Sequence, residues 1–359
     1  MLQHSILNEE VLLLNEILNY FNSFPATTHT NKKGITQASV CMIFRFNPKL
    51  FEKDKVLAPP DNKISVTPSG FLQFVTKNSD INTLKGISTG IELFFIKRAI
   101  NPKDHHSGEV AFPGGKCDGT EPDFQTAIRE AQEECGIDLK NQQKYAYLGK
   151  FPKNFYAYTT PKGRMFVTVH MFFQLDLTDT PMNVNPGEIQ SFFWLPLRFF
   201  LDPDLQTFRN TEPVKIDIST RLPKGKLMTT LVETMSHGLT AGTYMHFDLP
   251  NNSSLWGLTY FFMIYFLYAV KTAIKMSSHD FKSINKQALD YILENGLKFN
   301  FIYNYRPLLG LRSSAIDFLY YMHRVEQFEG RVDTPTYPYA LFGIFFIAVP
   351  LLLNYHPKL

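Results

Sequence analysis

Cysteine is scarce in this chain. Cys41, Cys117 and Cys135 are the three in 359 residues, an odd and scattered set that builds no disulfide framework and fits a reducing compartment. Charge imbalance is also small. Thirty-six Lys and Arg against 33 Asp and Glu leave a formal net charge of +3, too little to recruit nucleic acid, and no nucleic-acid partner is expected. No secretory leader is expected at the opening residues, because Glu9, Glu10 and Glu16 interrupt any apolar core, and the same acids argue against a mitochondrial presequence. What the chain does have is aromatic bulk, 33 Phe and 17 Tyr, enough for a large core or a membrane surface. The length suits one substantial domain with additions, or two small ones.

The densest pattern is FPGGKCDGTEPDFQTAIREAQEECGI, residues 112–137. Its central part, 122–135, predicts a helix, with Pro122 and Asp123 at the start and Gly136 in the position of a C-cap glycine. Glu130 lies three residues before Glu133 and four before Glu134, so a helix gathers three carboxylates on one face. Clustered like charges need compensation, and hard cations bound by carboxylate and phosphate oxygens supply it. Gly114 and Gly115 let the backbone approach, so that a main-chain carbonyl joins the same ion. A solvated acidic helix face would explain the glutamates alone. It does not explain why the glycines, Glu121 and Arg129 stand at fixed offsets from them.

The spacing G-x5-E-x7-R-E-U-x-E-E-x-G-U resembles a complete Nudix box, with Ala131 in the first aliphatic slot. The resemblance implies a metal-dependent hydrolase of nucleoside diphosphates linked to another moiety, working with Mg2+ or Mn2+. It implies that Glu130, Glu133 and Glu134, with Gly115, hold the metal, that Glu133 or Glu134 serves as base, and that Arg129 and Glu121 brace the loop–helix–loop. Upstream, FFIKR at 94–98 and GEVAFPGG at 108–115 resemble the signature of the coenzyme A diphosphatase branch. Arg98 matches its first arginine. The second is replaced by Asp104 with Lys103 beside it, which leaves Arg98, Lys103 and Gly114 as the candidate substrate-binding residues. Downstream, Asn185-Pro186-Gly187-Glu188 and Trp194-Leu195-Pro196-Leu197 resemble a further segment of that branch. Glu188 is therefore an extra candidate acid, as metal ligand or as base, or else a turn carboxylate.

Along the rest of the chain, 6–21 predicts an amphipathic helix capping the main domain, and strands are expected at 38–46, 91–98, 145–151, 165–175 and 244–249. His170 reads as a satisfied core histidine. Trp256-Gly257 opens an expected helix running to about 275, apolar but read as buried. Further helices are expected at 278–295 and 314–327. The expected architecture is an α/β Nudix fold, a mixed sheet between helices. An N-terminal helix and linker (1–37) precede the Nudix domain (38–275), which carries insertions at 47–90, with a short strand at 71–76, and at 202–242. A helical C-terminal extension (276–359) follows, similar to that of fungal peroxisomal members of the branch.

The apolar run 339–355 offers a membrane contact or tail anchor, and Pro357-Lys358-Leu359 departs at one place from the S-K-L peroxisomal address read by an import receptor. At most one of these two localisations holds. The expected activity is hydrolysis of the pyrophosphate of coenzyme A and its thioesters or oxidised forms. Two alternatives stay open: clean-up of oxidised purine nucleoside triphosphates, and a catalytically idle scaffold in a membrane-associated assembly.

Overall fold

The computed structural model describes residues 2–24, 35–51, 62–66, 72–76, 90–101, 107–152, 155–159, 163–177, 179, 182–201 and 246–296. Nearly all belong to one unit, Met1–Thr211 with His246–Leu293; the second, Glu212–Met245 with Glu294–Leu359, lies outside them apart from 294–296. The expectations at 202–242, 314–327, 339–355 and 357–359 therefore fall outside the described residues, as does Lys103.

In chain order the elements are α1 (Leu2–Asn22), β1 (Ile35–Phe46), a 3-10 turn (Pro48–Phe51), β2 (Asn62–Val66), β3 (Leu72–Thr76), β4 (Ile91–Arg98), β5 (Val110–Ala111), β6 (Gly114–Lys116), α2 (Asp123–Cys135), β7 (Tyr145–Lys150), β8 (Phe155–Thr159), β9 (Gly163–Gln174), β10 (Ile189–Pro196), α3 (Arg198–Leu201), β11 (Phe247–Asp248), β12 (Ser254–Leu255), α4 (Gly257–Met276) and α5 (Lys286–Gly296). One eight-stranded sheet has the order β10-β4-β1-β9-β7, with β5, β6 and β8 paired onto β4, β1 and β9. The sheet is mixed: β1 and β9 run parallel, with Val40 opposite Val169, whereas β4 runs antiparallel to both β1 and β10.

β1 is buried on both faces, and its side chains divide by parity. Cys41 and Ile43 join Phe94, Ile96, Phe172 and the α2 residues Ala127, Ile128, Ala131 and Cys135 in one core. Phe44 turns the other way onto Phe266 of α4, with ring centroids 5.7 Å apart. α4 is the described helix long and apolar enough to cross a membrane, yet most of it is buried in the protein, including Tyr260, Phe262, Ile264, Tyr265 and Phe266. It is apolar all round because the sheet covers one side and α1 another. Phe21 of α1 stacks on Tyr265, and Glu16 accepts a hydrogen bond from Ser277 at 2.8 Å. Each large side chain so buried contributes roughly 2 kcal/mol. α1 is fixed at two more points by buried carboxylates. The Ile91 N–H donates to Glu10 at 2.7 Å and the Ser283 N–H to Glu9 at 3.0 Å.

Several elements differ from the sequence expectation. The strand expected at 244–249 is not part of the large sheet: among the described residues it is the two-residue β11, paired only with β12. The helix expected from 278 starts at Lys286, because the Asn285 side chain accepts the Ala288 N–H at 3.0 Å as its N-cap in place of the serines. β1 begins at Ile35 and gains its first residues by pairing with β9. β2 and β8 lie outside the expected strands; each forms a hairpin arm with β3 or β9. His170 is only half satisfied. Nδ1 lies 3.1 Å from the Tyr147 hydroxyl, while the buried Nε2 makes no hydrogen bond and stands 3.8 Å from Asp123.

Candidate active site

Two glycines open the site. Cys41 N–H donates to the Pro113 carbonyl at 2.7 Å, drawing the loop onto β1. Gly114, at φ 152°, then lies so close to the strand that a Cβ would meet the Ser39 carbonyl and, at 2.6 Å, the Val40 Cα. Gly115 lies against Glu130: a Cβ there would come within 2.5 Å of its carboxylate. The two positions thus tolerate no side chain for different reasons, one against backbone and one against a functional group.

α2 starts at Asp123 and ends at Gly136, whose φ of 70° and N–H to the Gln132 carbonyl close the last turn. The helix presents its glutamates differently. Glu134 is buried at 2% exposure; its Oε2 accepts the Gly114 N–H at 2.8 Å, and its Oε1 is 3.9 Å from the Arg98 guanidinium. Burial, more than the nearby charges of Glu130 and Glu188, pushes its carboxyl up to about 8 against the pull of the Gly114 N–H and Arg98. Glu130 is raised as well, by burial first and then by Glu133 and Glu188, with Arg129 opposing. Glu133 is more than half exposed and pairs with Arg129 at 2.8 Å.

Arg129 faces two ways. Nε and Nη2 hold Glu121 at 3.1 to 3.3 Å, Nη2 also donates to the Lys116 carbonyl at 3.0 Å, and Nη1 meets Glu130 at 3.0 Å. Hydrogen bonds from Arg129 and the Thr126 hydroxyl hold Glu121 below the ordinary carboxylate range. This is the bracing geometry of the loop–helix–loop. The Thr126 hydroxyl and the Lys116 carbonyl are members of it that the sequence did not mark.

Glu188 reaches the site through the segment before it. The Asn183 N–H donates to the Cys135 carbonyl and the Asn185 N–H to the Glu134 carbonyl, at 3.2 and 2.9 Å, so the last turn of α2 anchors the turn that carries Glu188. The Glu188 carbonyl in turn accepts the Ala99 N–H at 2.7 Å, next to Arg98. Its charge raises both Glu130 and Glu134. Among the described residues no three acidic, histidine or cysteine side chains are gathered in metal-holding geometry. The donor set nonetheless suits a hard divalent cation. Its groups are all oxygens, and the charge of Glu188 opposes ionisation of both Glu130 and Glu134.

A family profile described as NUDIX domain matches residues 87–211. A peroxisomal coenzyme A diphosphatase of Caenorhabditis elegans is 36% identical over 99 residues, 27% of this chain and 38% of that one. A probable nudix hydrolase of Schizosaccharomyces pombe is 30% identical over 140 residues, 38% of this chain and 46% of that one. A mitochondrial coenzyme A diphosphatase of Mus musculus is 40% identical over 57 residues, 16% of this chain and 27% of that one. The chain thus spans less than half the length of these relatives. The matched span contains the glycine pair, the α2 glutamates and Glu188, and the sheet between helices is the architecture expected for it: this chain carries a Nudix domain with a Nudix fold.

Proposed function

We propose that this protein is a Nudix diphosphatase that hydrolyses the pyrophosphate of coenzyme A and its thioesters or oxidised forms, releasing 3′,5′-ADP and 4′-phosphopantetheine or its acyl form. The observation that carries this reading is the glycine pair packed on the α2 glutamates, Gly115 against Glu130 and the Gly114 N–H on Glu134, with Arg98 3.9 Å from Glu134. Relatives whose names specify coenzyme A diphosphatases support the substrate.

Glu130, Glu133 and Glu134, with the Gly115 carbonyl, would hold Mg2+ or Mn2+. When bound, such an ion supplies charge neutralisation on the phosphate oxygens and a more acidic attacking water. Arg98 and Lys103 orient the phosphates, Arg98 as a fork-shaped donor. Glu133 or Glu134 takes the proton of the attacking water, and Glu188 adds a fourth carboxylate, as a further ligand or as the base. Gly114 fixes Glu134 by its N–H, so that carboxylate does not reorganise during the reaction.

We also propose a peroxisomal location, supported by relatives named peroxisomal. The test is product analysis of coenzyme A and oxidised dGTP, side by side, with Mg2+ or Mn2+. Release of 3′,5′-ADP is expected, and Glu133→Gln should lower turnover by orders of magnitude in a folded protein. Preference for oxidised dGTP, or wild-type turnover in the variant, rejects the reading.

A further inference from the structure

Phe192 is a large aromatic side chain left 38% exposed on the face of the sheet that carries the site. β10 pairs with β4 so that Ile189 is opposite Arg98, Phe192 opposite Ile96 and Trp194 opposite Phe94. The rings form a row: Phe192 and Trp194 lie 5.8 and 4.9 Å from Phe94. Its far end is closed, because the Arg45 guanidinium covers Trp194 at 4.0 Å and is itself tied to Glu92 at 3.0 Å and to Asp179 at 2.6 Å. The near end, at Phe192, is open.

That open end points along the strands to the catalytic carboxylates. Arg98 is two residues beyond Ile96 on β4, which at the usual rise is about 7 Å, and its guanidinium stands beside Glu134. With the pyrophosphate beside Arg98, at the ion that Glu130, Glu133 and Glu134 would hold, a ribose bridges the remaining distance, so the group that arrives at Phe192 is a base. A planar ring gains most from a flat aromatic face, whereas the amides of a pantetheine arm seek hydrogen-bond partners that a phenyl ring lacks.

We propose that Phe192, on the Phe94–Trp194 platform, is the stacking surface for the adenine ring of the substrate. The assignment rests on the coenzyme A reading of the same site. The full-length protein and Phe192→Ala are compared in coenzyme A hydrolysis, inhibited separately by 3′,5′-ADP and by 4′-phosphopantetheine. Direct titration of both half-molecules uses the fluorescence of Trp194 and Trp256, the two tryptophans of the chain. Loss of the stack should weaken 3′,5′-ADP about ten-fold, raise KM with kcat little changed, and leave 4′-phosphopantetheine as in the wild type. Phe192→Tyr should restore 3′,5′-ADP binding. Phe192→Leu keeps the contact with Phe94 and should reproduce the loss if the alanine variant is unstable. Unchanged 3′,5′-ADP binding, or equal weakening of both halves, overturns the assignment. Absent hydrolysis of coenzyme A with Phe192-dependent 3′,5′-ADP binding overturns the proposed reaction and supports the stack; hydrolysis without that dependence overturns the stack alone.

Discussion

Asp123 in the first turn of α2 and Glu134 in its last are both carboxylates drawn out of water, and they titrate in opposite directions. Burial opposes the charge at Asp123, but the His170 ring and the Lys150 ammonium, 3.1 Å away, outweigh it and hold the carboxyl below its ordinary range. At Glu134 burial again opposes the charge, and the charges of Glu130 and Glu188 add to it; Arg98 at 3.9 Å and the Gly114 N–H do not compensate. At one end of the helix Lys150 matches the Asp123 charge, while burial holds the neighbouring His170 down to about 4. The other is built with a deficit of positive charge, which is what a cation-binding site requires.

The sharpest way to break this contrast is Glu134→Gln. Removing the buried charge should cost about 10³-fold in turnover while the thermal midpoint of the metal-free protein stays level or rises, measured by product assay and melting in chelator. Next is Gly115→Ala, whose Cβ would displace the Glu130 carboxylate. Roughly 10²-fold lower turnover is expected, with little loss of stability because the displaced atoms end a flexible side chain. Gly114→Ala meets backbone instead and should lower stability by about 1–3 kcal/mol, read by denaturant titration.

The two ends should also separate by pH. Glu134 is raised to about 8 on folding, so its contribution to metal-free stability is full below the unfolded carboxylate range and is lost as pH climbs through 8. Melting in chelator should therefore fall between about pH 4.5 and 8, and Glu134→Gln should flatten that slope. Asp123 behaves in the reverse sense: its contribution is present above the unfolded carboxylate range and disappears as pH drops through its lowered value. Lys150→Met should shrink that acid-side contribution by a few tenths of a kcal/mol, the smallest effect, since the pair is partly exposed.

Much of the site end of α2 was legible because it is local. Glu130, Glu134, Arg129 and Glu121 are related by helical spacing and a single loop, and Gly136 stops the helix where its left-handed conformation allows. The other end was not legible. Asp123, Tyr147, Lys150 and His170 come from the helix and two strands, and nothing in an apolar strand tells a half-satisfied histidine from a satisfied one. The same holds for the short β11, where alternation at 244–249 promised a sheet strand and long-range pairing gave a two-residue ribbon.

By itself the sequence determined which residue types stand at which offsets on α2 and where that helix starts and stops, because connectivity and backbone geometry act over a few residues. Only the tertiary structure decided that Glu134 is buried while Glu133 is exposed, that Glu188 arrives through hydrogen bonds from Asn183 and Asn185 to the end of α2, and that Phe192 lies open beside Trp194. Those outcomes depend on desolvation and on through-space charge. Both are set by segments distant in the chain, and no local spacing encodes them.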